Sequence, residues 1–160
     1  MSSPELTPDS PPLIVLVHAA DRAFQDEMVH AAVRRGYGAR PAHNAVFATL
    51  SREGSRASDM AHRAGITKQS MGEVVRELVD LGLLEMKPDP DDRRAKLVTF
   101  TEVGLEQAMA GRRHLVGLER EFVEEFGDET YQSARRILLR VTEILAERAK
   151  ADESAESLGA

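Results

Sequence analysis

The sequence predicts a mainly α-helical fold interrupted by one small β-hairpin. Three observations predict it. Apolar residues recur at helical spacing through six stretches, and glycines and prolines fall between those stretches. Two short segments, LLEMK and AKLVTF, then flank the run PDPDDRR, the second with strand-like alternation. The order is helix–helix–helix–helix–strand–strand–helix–helix, and 160 residues suit one domain with helical extensions.

Residues 1–12, MSSPELTPDSPP, are rich in Ser and Pro and read as a disordered leader. Leu13, Val17, Ala20, Phe24, Met28 and Ala31 then follow helical spacing, and Gly36 and Gly38 close that segment, 13–38. Pro41 suits the first turn of a second helix, PAHNAVFATL, which carries Val46, Phe47 and Leu50 inward. A short helix with Met60 and Ala61 inside leads to a turn at Gly65. A longer one follows, capped by the Thr67 hydroxyl, with Ile66, Met71, Val74, Val75 and Leu78 inward and Gly82 at its end. After the hairpin, Thr101 can cap a helix whose apolar side includes Leu105, Met109, Leu115, Val116, Phe122 and Phe126. Gly127 breaks it, and Asp128 can cap a last helix carrying Tyr131, Ala134, Leu138, Val141 and Leu145. The tail, 151–160, reads as frayed.

Two of these features combine. Ala61, four residues before Gly65, gives the small contact and the positive-φ turn that a helix-turn-helix needs. The same rotation turns Thr67, Lys68, Gln69, Gly72, Glu73 and Arg76 outward, a set suited to a DNA major groove. Gln69 matches adenine, Lys68 guanine or phosphate, and Thr67 or Ser70 a base edge or phosphate. Gly72 costs about 1 kcal/mol relative to alanine in a helix interior, which close approach of DNA or of a neighbouring helix would offset. Glu73 is a poor phosphate neighbour unless it meets cytosine or pairs with Arg76. For every one of these residues the competing reading is an ordinary solvated helix face.

The hairpin that follows reads as a wing. Its prolines and aspartates fix the turn, Asp92 accepts bonds from the loop, and Arg93 and Arg94 project toward an adjacent minor groove. The competing reading is a salt-bridged surface hairpin. The whole segment ASDMAHRAGITKQSMGEVVRELVDLGLLEMKPDPDDRRAKLVTFTEVG resembles the winged-helix core of the MarR family of bacterial transcriptional regulators. The likeness rests on GITKQSM, on LVDLGLLE and on DPDDRRAKLVTFTEVG.

The resemblance implies a winged helix-turn-helix core over 39–104 with a two-stranded β-hairpin wing. It also implies N-terminal (13–38) and C-terminal (105–150) dimerisation helices that interlock in a homodimer. Such a dimer would bind a palindromic site on double-stranded DNA, as a repressor responsive to a small molecule. Carried onto this chain, the contacts fall on Thr67, Lys68, Gln69 and Ser70, and on Arg94 with Arg93 and Asp92 in support. Arg56 stands where the family often has a small hydroxyl residue, and exchanging a cap for a phosphate contact is the expectation there. The family's effectors, often aromatic acids, bind between dimerisation helices and core, so His18, Phe24, His30, Arg40, His43 and Phe47 are candidates for a small aromatic or acidic effector. For Phe24 and Phe47 plain core is the favoured reading.

Composition bounds the rest. Without cysteine there is no disulfide or thiolate metal site. The five histidines lie far apart in sequence, and no metal or other cofactor is expected. Net charge is −6, yet Arg52–Phe100 holds nine basic and nine acidic residues, a neutral segment in an acidic framework that suits DNA binding through a few placed cations. No apolar run reaches the roughly 20 residues that span a bilayer, and no signal peptide is evident, so a cytoplasmic location is expected. No G-x-S-x-G, H-E-x-x-H or P-loop spacing occurs, and an enzyme is not expected. The stronger rival function is a winged-helix protein-interaction module that no longer binds DNA.

Overall fold

The computed structural model describes residues 10–90, 92 and 94–158. The leader expected over 1–12 lies outside the described residues as far as residue 9, and so does Arg93. Among the described residues six helices and three strands follow in order: α1 (Leu13–Arg34), α2 (Pro41–Thr49), β1 (Ser55–Arg56), α3 (Ala57–Ala64), α4 (Lys68–Asp80), β2 (Leu84–Pro88), β3 (Lys96–Phe100), α5 (Glu102–Phe126) and α6 (Asp128–Leu158). The chain divides into two compact units, 1–115 and 116–160. Among the described residues no helix is long and apolar enough to cross a membrane.

In the first unit the core is built where the apolar spacing put it. Val46 and Leu50 from α2, Met60 and Ala61 from α3, and Met71, Val74, Val75 and Leu78 from α4 meet Leu83, Leu84 and Val98. Met60, Met71 and Leu78 are fully buried, each worth roughly 1.5–3 kcal/mol of transfer free energy. Phe47 stacks on Phe100 at 6.0 Å between ring centroids, at the edge of this cluster.

The helix-turn-helix is closed by local chemistry. Gly65 adopts φ +65°, its N–H bonds the His62 carbonyl, and the Ile66 N–H reaches back to Ala61, the double closure that stops a helix at a left-handed residue. Thr67 caps α4, its Oγ1 accepting the Ser70 N–H at 3.1 Å. Ile66 departs from the inward set: it belongs to the turn rather than to α4 and is 38% exposed.

The wing is the two-stranded hairpin expected, β2 against β3, and a third strand, β1, joins it in one sheet. Its order is β1-β3-β2, all antiparallel, with Ser55 opposite Val98, Arg56 opposite Leu97, and Met86 opposite Val98. Two residues carry no periodicity, so β1 left no alternation to read. Its trace is Gly54, at φ +102°, where an added Cβ would lie 2.9 Å from Thr99 Cγ2 and 3.1 Å from the Val98 carbonyl oxygen. That glycine lets the chain pass against β3.

A clasp joins the wing to α5. The Thr101 N–H bonds the Leu83 carbonyl at 3.1 Å, and Thr101 Oγ1 donates to the Gly82 carbonyl at 2.7 Å while accepting the Gly104 N–H at 3.0 Å. Outside the core, the apolar faces of α1 and α5 are largely open. Leu13 through Val17, Phe24 and Met109 are exposed, and only Ala31 of α1 and Gly104 and Gly111 of α5 are buried.

In the second unit Gly127, at φ +80°, breaks the chain between α5 and α6 as expected. The glycine itself takes the capping position, its carbonyl accepting the Tyr131 N–H at 3.0 Å, and Asp128 is already the first helical residue. α6 also runs to Leu158, past the fraying expected from 151. Ala151, Glu153, Ala155 and Glu156 favour the helix, with no Gly or Pro before Gly159 to stop it. Phe126, Ile137, Leu138, Leu139 and Leu145 are exposed.

Candidate nucleic-acid interface

α4 presents a polar face made of Thr67, Lys68, Gln69, Ser70, Glu73 and Arg76, all exposed, with Gly72 half-buried between them. The opposite side of the same helix is the buried row Met71, Val74, Val75 and Leu78. The outward set expected from the sequence is therefore together on one surface. Its members are not equally available. The Thr67 and Ser70 hydroxyls lie 2.8 Å apart and bond each other. Gln69 Nε2 donates to Glu73 Oε1 at 3.1 Å. Among the described residues the cations Lys68 and Arg76 have no hydrogen-bonding or ion-pair partner, and Glu73 does not pair with Arg76.

Among the described residues no neighbouring helix stands within 4 Å of a Cβ at Gly72. A Cβ added there would meet only Arg76 Nη1, at 3.6 Å, an ordinary contact. Of the two compensations the sequence offered, only approach from outside the chain is left. Gly72→Ala is accordingly expected to stabilise the fold by about 1 kcal/mol, raising the thermal midpoint by roughly 2–4 °C. Affinity for DNA should fall in the same variant.

The wing is held by its base rather than by its tip. Asp89, at the end of β2, is 4% exposed and accepts from Arg56 Nε at 2.6 Å. That bond, followed by the charge of Asp89, raises the Arg56 guanidinium further above its ordinary value. Arg56, expected at a DNA phosphate, is thus engaged with the wing from β1. At the tip, Asp92 Oδ1 accepts the Arg94 N–H at 3.0 Å and the Asp92 carbonyl accepts the Ala95 N–H at 2.9 Å. The loop-shaping expected of Asp92 is what the geometry has. Arg94 is exposed, with no side-chain partner among the described residues.

A second tie holds α4 from behind. Glu77 takes both Arg40 Nε at 2.7 Å and Arg40 Nη2 at 2.6 Å. It also receives His43 Nε2 at 3.2 Å. His43 is 4% exposed, and its Nδ1 accepts the Arg40 backbone N–H at 3.3 Å, so Nε2 carries the proton. Arg40 foremost, then His43, holds the Glu77 carboxyl below the usual carboxylate range. Sequence reasoning missed this pairing because it spans 37 residues.

The six candidate effector residues are not brought together. Phe24, His43 and Phe47 line a cleft of about 1650 Å³ among α1, α2 and α5, with Arg35, Arg52 and Arg112 also on its wall. Phe24 is 40% exposed there and is not core, whereas Phe47 packs against the core. His18 lines a separate hollow of about 350 Å³ beside Asp21 and Arg22. His30 is on the exposed side of α1, and Arg40 is drawn to Glu77. His114 bonds Glu27 at 2.8 Å. Among the described residues no cluster of three His, Asp or Glu is placed to hold a metal ion.

Residues 39–95, the helix-turn-helix and most of the wing, match the MarR family model. No curated protein sequence matches the chain. Among solved structures, a MarR family transcription regulator aligns over 86% of this chain and 88% of its own at 19% identity, with a TM-score of 0.72. Wild-type MarR from E. coli aligns over 83% of this chain and 98% of its own at 18% identity, TM-score 0.66. The transcriptional repressor CouR, bound to a 23-mer DNA duplex, aligns over 82% and 92% at 19% identity, TM-score 0.67. The class that these elements define is a winged helix-turn-helix fold. The chain thus resembles the MarR family over 39–95 and shares the fold of these solved structures.

Proposed function

We propose that the chain is a DNA-binding transcription regulator that acts as a homodimer on a palindromic operator, with α4 in the major groove and Arg94 of the wing in the minor groove. The observation that carries this reading is the sorting of its cations. Arg40 and Arg56 are committed to carboxylates within the fold, whereas Lys68, Arg76 and Arg94 stand exposed along α4 and the wing tip. A homodimer supplies two such surfaces, set about one helical turn of DNA apart. The open apolar faces of α1, of α5 and of α6 are what a second copy would cover.

Repression relieved by a small aromatic or acidic effector is the mode of control we propose. The cleft lined by Phe24 and Phe47 supplies apolar walls, and Arg35, Arg52 and Arg112 supply positive charge for such a molecule. CouR, described as a repressor bound to duplex DNA, supports the reading by its shared fold.

A salt titration of duplex binding tests the DNA-binding claim. Each phosphate neutralised contributes a slope of about −0.9 in log affinity against log salt. A dimer with several cations at the backbone therefore gives a steep negative dependence, and a protein-interaction module gives no binding to titrate. Gln69→Ala is expected to relax preference at one base per half-site by about 1–3 kcal/mol, read by competition among operator variants. An unchanged preference would remove Gln69 from the groove.

A further inference from the structure

Glu73 is an acidic residue in the middle of a surface that otherwise suits an anionic partner. It is exposed, and among the described residues it pairs with neither Lys68 nor Arg76. Among the described residues its side chain bonds Gln69, one helical turn earlier, at 3.1 Å. A carboxylate only accepts, so this bond fixes which end of the Gln69 carboxamide faces it. Nε2 turns toward Glu73, while Oε1 and the second Nε2 hydrogen remain for a base edge. Donation and acceptance side by side are what a purine amino group and ring nitrogen require together.

We propose that Glu73 is a positioning residue for base selection: it orients Gln69 and does not read a base itself. The proposal rests on the DNA-binding reading above. The same carboxylate acts a second way. When Gln69 meets its base, water leaves the site and the Glu73–Gln69 bond strengthens in the drier surroundings. When the base is wrong, the same negative charge is held close to phosphates while its bond to Gln69 stays wet and weak. Glu73 thus lowers affinity for unrelated duplex more than for the operator, which separates specific from non-specific binding.

The test compares the full-length protein with Gln69→Ala, Glu73→Ala, Glu73→Gln and the double variant Gln69→Ala/Glu73→Ala. All of the positions are exposed, and alanine and glutamine are at least as good helix formers as the residues replaced, so the fold is kept. The readouts are base preference in selected duplexes and affinity for an unrelated duplex. Glu73→Ala is expected to relax preference at the same base position as Gln69→Ala, by about tenfold or more, and to bind unrelated duplex more tightly. Glu73→Gln keeps an acceptor oxygen, so preference is retained while unrelated duplex again binds more tightly. The double variant should be no less selective than Gln69→Ala alone. Relaxation by Gln69→Ala with preference intact in Glu73→Ala would overturn the proposal and leave the DNA-binding reading standing. Relaxation by Glu73→Ala at a different base, as expected of direct cytosine contact, would overturn it too. No preference in the unaltered protein would overturn the DNA-binding reading and this proposal with it.

Discussion

Gly104→Ala is expected to destabilise the fold by about 3 kcal/mol or more, beyond the usual cost of an overpacked core site. An added Cβ would lie 1.8 Å from the Leu83 carbonyl oxygen, 2.7 Å from its carbon and 3.1 Å from its Cα. All three are backbone atoms, so no side-chain rotation relieves the clash. The first turn of α5 would have to lift away from β2. Lifting it stretches the clasp in which Thr101 bonds Leu83 and Gly82 and receives the Gly104 N–H. Urea denaturation followed by circular dichroism reads the loss as a lower midpoint. Gly72→Ala, the same chemical change on α4, should move the midpoint the other way. The two glycines differ only in what stands beside them.

Arg94→Ala is expected to weaken binding to every duplex, whatever its sequence. The Asp92 carboxylate accepts the Arg94 N–H, and Asp89 with Arg56 fixes the base of the wing, so the Arg94 backbone is tied to its own loop. A cation held in place loses less freedom on binding than one on a mobile loop. Removing it should weaken binding to all duplexes alike by about 1–3 kcal/mol over both wings and flatten the salt slope by about one per protomer. Arg94→Lys separates charge from shape. Lysine retains the slope but lacks the planar guanidinium suited to a narrow minor groove, so recovery should be partial and confined to the electrostatic part. Equal binding by Arg94→Ala and the unaltered protein would take the wing out of the interface.

The parts of the fold legible in the sequence are those whose causes are local. Gly65 and Thr67 mark the turn and the start of α4, and the spacing of Met71, Val74, Val75 and Leu78 then fixes which side faces out. PDPDD between two strand-like segments marks the hairpin. What the sequence hides depends on partners far along the chain. Asp89, Asp91 and Asp92 look alike in a row of acids, yet Asp89 is buried against Arg56, 33 residues earlier. The strand β1 that carries Arg56 is too short for periodicity, and Gly54 was its only mark. Arg40 and His43 read as lining for an effector because Glu77 could not be seen beside them. Ile66 shows the limit of helical spacing at a turn, where the rotation that sorts inward from outward has not yet begun.

These long-range ties bear on function as well as stability. Arg40 and His43 fix α4 from its C-terminal half, while the Thr67 cap fixes its start. The helix whose outer face carries Lys68, Gln69 and Arg76 is therefore held at both ends. His43 also lines the cleft among α1, α2 and α5, which brings that cleft within one side chain of α4.

The central claim is that two copies of this surface read a two-fold symmetric DNA site. Selection of random duplex DNA by the purified full-length protein, repeated at two salt concentrations, tests it most directly. The account predicts enrichment of a palindrome with half-sites about one helical turn apart, and tighter binding at the lower salt. Binding at low salt without any enriched sequence, or no binding at either concentration, would contradict it.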